Sequence, residues 1–505
     1  MSRIDRIALS LSIFTLLLAG WIGARVYENL PHLEDEMAYV WQAQVIAGGH
    51  LSLETPPCPR CFLVPFVVDA NGLRSGKYPP GWPAMLALGV LLGARWLVNP
   101  LLSGWTVWLI YRVVKKLTNE VTALIAVLLT ITSPFFLMNS GTLLAHPLSL
   151  FLTAAFTLSW LDTFDSNRRA PRWITALTAG FSLGLLALTR PLSAVAVGLP
   201  FGLHGLWLLA KGDSAARKSA AGIGALALLI GSSLFLWQYA VTGDPLTNPY
   251  VLWWPYDTIG FGPNVGVQTG GYWPKDAIPN LQVSLYFGRH DLFGWLGFSY
   301  YLLPVGALAL LRRPKALMAA AVAPAVVAAY CLYWIGSWLY GPRYYYEGLL
   351  GAVLLSAAGI TWLAGKLLPV SAPPWKRWLA RARFGLVSAA VLFAVACNCL
   401  YYIPPRLAGF VGLYDVRGEY LQPFQSQSAL ALTPALVIVH PLDDWIEYGR
   451  LTDLSSPYFD TPFVFIINRG PEENAKALAL FPERRVFHYY KHTPFVFYTS
   501  PLPTE

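Results

Sequence analysis

The chain has 505 residues, of which 55% are hydrophobic and only 12% are charged. This charged share is about half that of an ordinary soluble domain, which excludes a soluble enzyme and favours a membrane protein. The formal net charge of +9 needs no nucleic acid to explain it, because the arginines and lysines gather in a few connecting segments.

Apolar runs recur along the chain, and a hydrocarbon core about 30 Å thick requires about 20 apolar residues per helix. They predict about eleven membrane spans, near residues 7–27, 83–111, 121–138, 143–161, 173–189, 191–210, 219–240, 292–311, 315–335, 345–367 and 384–402. The first run is interpreted as a retained helix, because no A-x-A cleavage site follows it. If the N-terminus is cytoplasmic, all five inner connections are basic, as the positive-inside rule requires. These connections are "YRVVKKLTNE", "DSNRRAPR", "KGDSAARK", "LRRPK" and "PPWKRWLARAR".

The first outer loop in this topology covers residues 28–82. Apolar residues at helical spacing predict a short helix over residues 35–48 that lies along the membrane surface. The stretch "CFLVPFVVDANGLRSGKYPPGWP" predicts a hairpin with its turn at residues 69–72, because Asn-Gly supplies the positive φ that a hairpin needs. Cys58 and Cys61 form a C-x-x-C pair. A local disulfide is favoured there over a redox catalyst or half of a zinc site, since no second ligand pair follows.

Two further segments lie outside in this topology. The loop of residues 241–291 is rich in Gly, Pro, Trp and Tyr, and loops of this length are usually functional or disordered. Its aromatic residues have two interpretations, which are compatible with each other. They would form a belt at the membrane interface, or a wall that stacks on sugar rings or lipid. The tail, residues 403–505, has a helical run among strand-like runs at 435–439, 463–467, 485–490 and 495–500. This order predicts a small extracytoplasmic α/β domain after a transmembrane domain of residues 1–402.

Other sequence signals narrow the choice of chemistry. The chain has no G-x-x-x-x-G-K-[ST] phosphate loop, which argues against an ATP-driven pump carried on this chain. Cys331, Cys397 and Cys399 fall in or beside spans, where small apolar packing residues are expected. We therefore expect the chemistry to come from polar residues at the span ends.

Acidic residues follow the first span directly. A carboxylate close to hydrocarbon is costly to desolvate, so a functional role is the default hypothesis for Asp35 and Glu36. The alternative is a hydrated cap at the helix N-terminus. An acid at an external membrane mouth suits a general base that removes a proton from a hydroxyl. His146 opens the fourth span on the same side, either as a structural group or as part of the same cavity. No ligand spacing supports a metal held by these three residues, so divalent-metal dependence stays open and the sequence requires no cofactor.

Basic residues on the outer side are exceptions to the rule that set the topology. Arginine binds phosphate through bidentate hydrogen bonds and lysine as a point charge, so these residues predict a phosphate site. The alternative is snorkelling to lipid headgroups, which is more credible for Arg190 than for Arg343. The outer basic residues are Lys77, Arg190, Arg289, His290 and Arg343.

Four segments, in this order, resemble the GT-C fold glycosyltransferases of the protein-mannosyltransferase-like superfamily, whose bacterial members use polyprenyl-phosphate sugars. They are "LEDEMAYVWQAQVIAGG", "KYPPGWPAMLALG", "TSPFFLMNSGTLLAHPLSLFLTAA" and "GPRYYYEGLLGA". The resemblance implies the GT-C fold, with Asp35 as catalytic base supported by Glu36, and with Arg343 and Tyr344 at the donor phosphate. Many members have an acid where this chain has His146. Beside the resemblance, we expect Lys77 and Arg289 at the same phosphate, and Tyr78, His146 and His290 near the acceptor or the sugar.

These observations predict an integral membrane glycosyltransferase of the bacterial inner membrane, with its active site on the extracytoplasmic side. It would move a sugar, with inversion, from a polyprenyl-phosphate donor to a hydroxyl of a lipid, glycan or protein acceptor. The alternatives are a transporter or flippase and a ligase of lipid-linked glycans. A transporter predicts charged residues inside spans and paired broken helices, whereas this sequence keeps its ionisable residues mostly at the span ends.

Overall fold

The computed structural model describes residues 1–167, 170–366, 368–369, 371–442 and 445–503. Arg168 and Arg169 of one predicted basic connection, Leu367 at the end of one predicted span, and four positions of the predicted tail domain lie outside these ranges.

Helices make up most of the described chain. The first ten α-helices are α1 (Arg3–Arg25), α2 (Glu34–Ala47), α3 (Gly81–Leu91), α4 (Val98–Leu117), α5 (Glu120–Ile131), α6 (Pro134–Ser140), α7 (His146–Thr163), α8 (Arg172–Thr189), α9 (Pro191–Lys211) and α10 (Ser214–Thr242). The later ones are α11 (Tyr250–Trp253), α12 (Pro274–Asp291), α13 (Leu302–Leu310), α14 (Pro314–Ala320), α15 (Val322–Tyr330), α16 (Leu349–Ala364), α17 (Pro374–Cys397), α18 (Ile403–Ala408), α19 (Gln422–Gln425), α20 (Gln427–Leu430), α21 (Ile446–Gly449) and α22 (Pro471–Leu478). The predicted helical class is confirmed.

Short 3₁₀ segments and six strands complete the described elements. The 3₁₀ segments are Arg95–Leu97, Leu296–Tyr300, Arg343–Gly348, Leu413–Asp415, Gly418–Leu421 and Arg450–Leu454, and Asn398–Tyr402 forms a π turn. The strands are β1 (Leu53–Glu54), β2 (Val67–Ala70), β3 (Leu73–Gly76), β4 (Ala435–Val439), β5 (Phe463–Ile467) and β6 (Arg485–Tyr489).

Among the described residues, seven helices are long and apolar enough to cross a membrane, or nine if each of two bent helix pairs is one span. The predicted count of about eleven is not reached by this measure. Several predicted runs are interrupted: residues 83–111 divide between α3 and α4, with Gly93 at φ 63° in the connection. Residues 121–138 bend by 61° between α5 and α6, where Pro134 cannot continue the preceding helix.

Small residues bring the helices of the bundle close together. A methyl group added at Gly180 of α8 would lie 2.9 Å from Cβ of Leu226, and one at Gly184 would lie 2.6 Å from Cβ of Ile230. Both neighbours belong to α10, so glycine allows these two helices to approach closely, as is common between membrane helices.

The first outer loop folds largely as predicted. Helix α2 covers Glu34–Ala47, and β2 and β3 pair antiparallel around Asn71 (φ 52°) and Gly72 (φ 76°). The apolar residues of α2 are buried against α3 and the C-terminal region, and Met37 is only 4% exposed. The helix is therefore enclosed by protein on most sides. That α2 lies along the membrane surface stays a prediction.

The C-terminal region contains a parallel sheet with strand order β5-β4-β6. Three of the predicted strands and the predicted helix form, but residues 495–500 contribute only an isolated bridge between His488 and Tyr498. The sheet shares its hydrophobic core with the first outer loop, where Cys58 and Cys61 form a disulfide. The division into domains at residue 402 stays a prediction.

Candidate active site

Asp35 lies in the first turn of α2, where the helix dipole favours a carboxylate. Its Oδ1 accepts a hydrogen bond of 2.6 Å from the hydroxyl of Tyr78. Its Oδ2 lies 3.5 Å from Nη2 of Arg343. The Asp35 side chain keeps 23% of its surface exposed. Tyr78 therefore fixes one carboxylate oxygen, while the other faces Arg343 and stays accessible.

Arg343 begins a 3₁₀ segment after a tight turn. Tyr340 and Gly341 have positive φ values of 59° and 72°, and a Cβ on Gly341 would lie 2.8 Å from the ring of Phe135. The turn therefore requires glycine and directs the next residues toward α2. The Nη1 atom of Arg343 is buried and has no hydrogen-bond partner among the described residues. Because a buried N–H without a partner is costly, this atom is a candidate contact for an anionic group.

Two cavities meet at the Asp35–Arg343 pair. The larger cavity, about 410 Å³, is bounded by Lys77, Arg190 and the α10 residue Trp237. The smaller cavity, about 310 Å³, lies between α2 and the C-terminal region. Both are lined by Glu34, Asp35, Ile335, Arg343 and Tyr344. A group held in either cavity can therefore reach the same carboxylate.

Glu36 is adjacent to Asp35 in sequence but lies behind it. It is 1% exposed, and its oxygens accept hydrogen bonds from the backbone N–H groups of His32 at 2.8 Å, Leu33 at 3.0 Å and Leu143 at 2.7 Å. Burial raises the pKa of Glu36 from 4.5 to about 7, although these three donors oppose the rise. Glu36 lines neither cavity. It joins the start of α2 to the segment before α7 and so supports Asp35 from behind.

Lys77 is enclosed by protein on the wall of the larger cavity. Its Nζ lies 3.2 Å from Oδ2 of Asp257, and the two side chains are 3% and 1% exposed. Oδ1 of Asp257 accepts hydrogen bonds from the Tyr333 hydroxyl at 2.9 Å and from Nε1 of Trp334 at 3.0 Å. Nζ also lies 3.8 Å from the centre of the Phe66 ring. Burial lowers the pKa of Lys77, and Asp257 acts against this shift.

Arg190 and His146 form another part of the wall of the larger cavity. Nε of Arg190 lies 3.2 Å from Glu347, and its Nη2 donates to the hydroxyl of Tyr330 at 2.6 Å. This contact argues against the alternative that Arg190 snorkels to lipid headgroups, because Glu347 on the neighbouring helical segment holds it inside the bundle. His146 is 4% exposed, and neither ring nitrogen has a hydrogen-bond partner among the described residues.

The structure does not bring Arg289 and His290 to either cavity. They lie in the last turn of α12, before the chain bends by 99° into the next helix. Nε of Arg289 lies 3.1 Å from His290. The next residue, Asp291, pairs with Arg406 at 3.0 Å. These two predicted ligands therefore belong to a different surface.

Sequence reasoning missed the acids that hold the cations of the larger cavity. Asp257 lies 180 residues after Lys77, and Glu347 follows the tyrosine cluster beside Arg343. The sequence signals that could have identified them were a carboxylate within an aromatic loop, for Asp257, and a carboxylate at the start of a predicted span, for Glu347. Among the described residues, no three His, Cys, Asp or Glu side chains converge as a metal site would require.

One family model matches part of the chain. Residues 77–237 match the dolichyl-phosphate-mannose-protein mannosyltransferase family, which is about a third of the chain. This segment includes Lys77, His146 and Arg190 but neither Asp35 nor Arg343. No curated protein sequence matches the chain significantly.

Solved structures match nearly the whole chain. ArnT from Cupriavidus metallidurans, bound to undecaprenyl phosphate, superposes with a TM-score of 0.56 at 15% identity over 94% of this chain and 87% of ArnT. Apo ArnT gives 0.58 at 16% identity over 94% and 88%. The apo oligosaccharyltransferase of Archaeoglobus fulgidus gives 0.53 at 13% identity over 96% of this chain and 68% of its own. The resemblance predicted from the sequence is confirmed: the chain has the GT-C fold of the protein-mannosyltransferase-like glycosyltransferases.

Proposed function

We propose that this protein is a multi-pass membrane glycosyltransferase that moves a sugar from a polyprenyl-phosphate donor to a hydroxyl of an extracytoplasmic acceptor, with inversion. The observation that carries the proposal is the position of Asp35 and Arg343 where two cavities meet. One carboxylate accessible from both sides suits a direct transfer between two bound substrates.

The larger cavity has the features that a lipid-phosphate donor requires. Arg343 offers a buried N–H without a partner, and Arg190 adds a second guanidinium on the same wall. Leu234 and Trp237 of α10 extend the lining along an apolar helix. We place the donor phosphate at Arg343, with Arg190 on the same wall and the polyprenyl chain along α10, while Lys77 stays paired with Asp257. The ArnT structure with undecaprenyl phosphate supports a lipid phosphate as ligand for this fold.

The reaction follows from this placement as one displacement. Asp35 takes the proton of the acceptor hydroxyl while the hydroxyl oxygen attacks the anomeric carbon of the sugar. The bond between that carbon and the phosphate oxygen breaks, and the electron pair leaves with the phosphate. Arg343 stabilises the developing negative charge, so a general acid is not needed. Attack opposite to the leaving group inverts the anomeric centre.

We assign the acceptor to the smaller cavity. Trp338, Tyr414 and Trp445 line it, and such rings offer large contact area with a polar edge. Tyr414 has a φ of 53°, which a non-glycine residue rarely adopts. The next residue, Asp415, accepts contacts from Lys491 at 2.8 Å and is further held by the C-terminal region. The C-terminal region therefore completes the acceptor wall, and we propose that it lies on the outer side of the membrane.

The decisive experiment compares Asp35→Asn with the wild type in vesicles supplied with monosaccharide polyprenyl phosphates and an outer-membrane or cell-wall acceptor extract. Loss of a general base costs about 10²- to 10⁴-fold, so we expect transfer to fall to background while the protein still purifies as a folded monodisperse species. Asp213→Asn is the matched control, because Asp213 caps α10 and asparagine caps equally well. Full transfer by Asp35→Asn would overturn the assignment.

The same vesicles separate the remaining alternatives. A ligase of lipid-linked glycans would use only donors that carry preassembled chains, and a flippase would move the donor across the membrane without forming a glycosidic bond. The anomeric configuration of the product, read by nuclear magnetic resonance, tests inversion.

A further inference from the structure

A third cavity lies at the end of the bundle opposite Asp35. It has a volume of about 420 Å³ and opens among α5, α13, α16 and α17. Helix α7 connects the two ends of the bundle. It begins at His146 beside the larger cavity and ends near the ion pair of Lys116 and Asp162. Asn119, which caps α5 three residues after Lys116, lines the third cavity. Nothing in the proposed reaction uses this site.

The wall of the third cavity is divided between apolar and polar side chains. Val121 of α5 and Phe384 of α17 are apolar lining residues that are 55% and 42% exposed. Thr118, Thr361 and Ser388 add hydroxyl groups to the same lining. An apolar wall next to hydroxyl groups, at the end of a helical bundle, resembles the boundary between lipid tails and headgroups.

Positive charge around the third cavity is not balanced by acids. Arg313 and Lys366 line it, while Arg383 beside it donates to the carbonyls of Trp362 and Leu363 at the end of α16. Among the described residues, no carboxylate lines the cavity. Among the described residues, the guanidinium of Arg313 makes one hydrogen bond, from Nη1 to the carbonyl of Leu117 at 2.9 Å.

Two other basic residues at this end of the bundle, Lys115 and Lys116, are paired with acids. Lys115 lies 2.6 Å from Asp5 and 2.8 Å from Glu120. Lys116 lies 2.8 Å from Asp162 and also contacts Asp165. The fold therefore pairs Lys115 and Lys116 with acids, whereas among the described residues Arg313 and Lys366 line the third cavity without an acid beside them and can meet an external anion.

We propose that the third cavity binds the phosphodiester headgroup of an anionic phospholipid. Arg313 and Lys366 hold the phosphate, the hydroxyl groups contact the headgroup, and the acyl chains lie along Val121 and Phe384. This site is independent of the proposed transfer reaction and of the donor.

The test uses the full chain in neutral detergent and measures retained lipid by native mass spectrometry, with phosphatidylglycerol and phosphatidylcholine as probes. We expect one phosphatidylglycerol per protein and no comparable binding of phosphatidylcholine. The double variant Arg313→Gln with Lys366→Gln should lose about fivefold in affinity for each cation removed. Equal binding of the two lipids would overturn the proposal, because it would show a site for acyl chains alone.

The matched control is Arg312→Gln with Lys376→Gln, which removes the same charge outside the cavity lining. It should bind phosphatidylglycerol like the wild type, and an equal loss would show general surface attraction instead. Ser388→Trp fills the cavity without changing charge, and α17 has no buried residues whose packing it would disturb. It should also lose the lipid. Displacement of the lipid by inorganic phosphate would identify a free-phosphate site and overturn the lipid as occupant.

Discussion

The Lys77–Asp257 and Asp35–Arg343 pairs both border the larger cavity, but the first is closed and the second is open. The closed pair is 3.2 Å long with side chains 3% and 1% exposed, and hydroxyl and indole donors complete the coordination of Asp257. The open pair is 3.5 Å long with side chains 14% and 23% exposed.

This difference separates structural from reactive charge. A charged group whose hydrogen-bond partners are all supplied by the protein has little capacity left for a ligand. Removing one member of such a pair leaves the other charge buried without a counter-charge. Arg343 keeps an unpaired N–H, so a ligand can complete its coordination. We therefore expect changes at the closed pair to act mainly on folding and changes at the open pair to act mainly on transfer.

Asp257→Asn should give the largest effect, a loss of about 3–5 kcal/mol in the free energy of unfolding, because it leaves Lys77 buried without its counter-charge. Chemical unfolding in detergent measures this change in the free energy of unfolding. Asp276→Asn is the control, since Asp276 only accepts from the backbone of Trp273 at the start of α12. The double variant Lys77→Met with Asp257→Leu should recover most of the loss. A loss below about 1 kcal/mol for Asp257→Asn would contradict the structural role.

Arg343→Gln should lower transfer by about 10²- to 10³-fold while the free energy of unfolding changes little, because a donor to the developing phosphate charge is lost. Arg343→Lys should restore part of the rate, since it keeps the charge but not the planar fork. Arg289→Gln, which lies outside both cavities, should behave as wild type. If Arg289→Gln were as damaging as Arg343→Gln, the phosphate position would be wrong.

Glu36 is buried on α2, the helix that also carries Asp35 of the open pair. Its pKa is raised from 4.5 to about 7, so between these values the folded state keeps a proton that the unfolded state has released. The free energy of unfolding should therefore fall as pH rises through this window, by about 3 kcal/mol. Glu36→Gln should lack this slope in thermal unfolding from pH 4 to 8. Parallel curves for the two proteins would show that Glu36 does not titrate there.

Tyr78→Phe should have the smallest effect, about a tenfold loss of transfer, because it removes the hydroxyl that orients Oδ1 of Asp35. Tyr250→Phe, at the same cavity, should retain activity. Unchanged transfer by Tyr78→Phe would mean that Arg343 alone positions the carboxylate.

Local signals in the sequence predicted local structure well. The acidic start of α2, the Asn71-Gly72 turn and the apolar runs of β4 and β5 each depend on neighbours in sequence, and each forms as predicted. Topology alone also placed Asp35 and Arg343 on one side of the bundle, although they are 308 residues apart.

Pairings between distant segments could not be predicted in the same way. The acid that closes on Lys77 is Asp257, from an aromatic loop in which no pattern distinguishes it from its neighbours. Arg289 is an outer basic residue like Arg343, but it lines neither of the two cavities at Asp35. The sequence shows which charged residues lie at the outer ends of the predicted spans. Which of them come into contact depends on how the helices pack.

The shared core of the first outer loop and the C-terminal sheet has a consequence for the order of biosynthesis. Tyr458 donates to the carbonyl of Val45 in α2 across 413 residues, and Met37 packs in one core with Phe465. The C-terminal strands that support α2 are translated after the helices of the bundle. We therefore expect the surroundings of Asp35 to take their final form only once this late segment has folded onto the first outer loop.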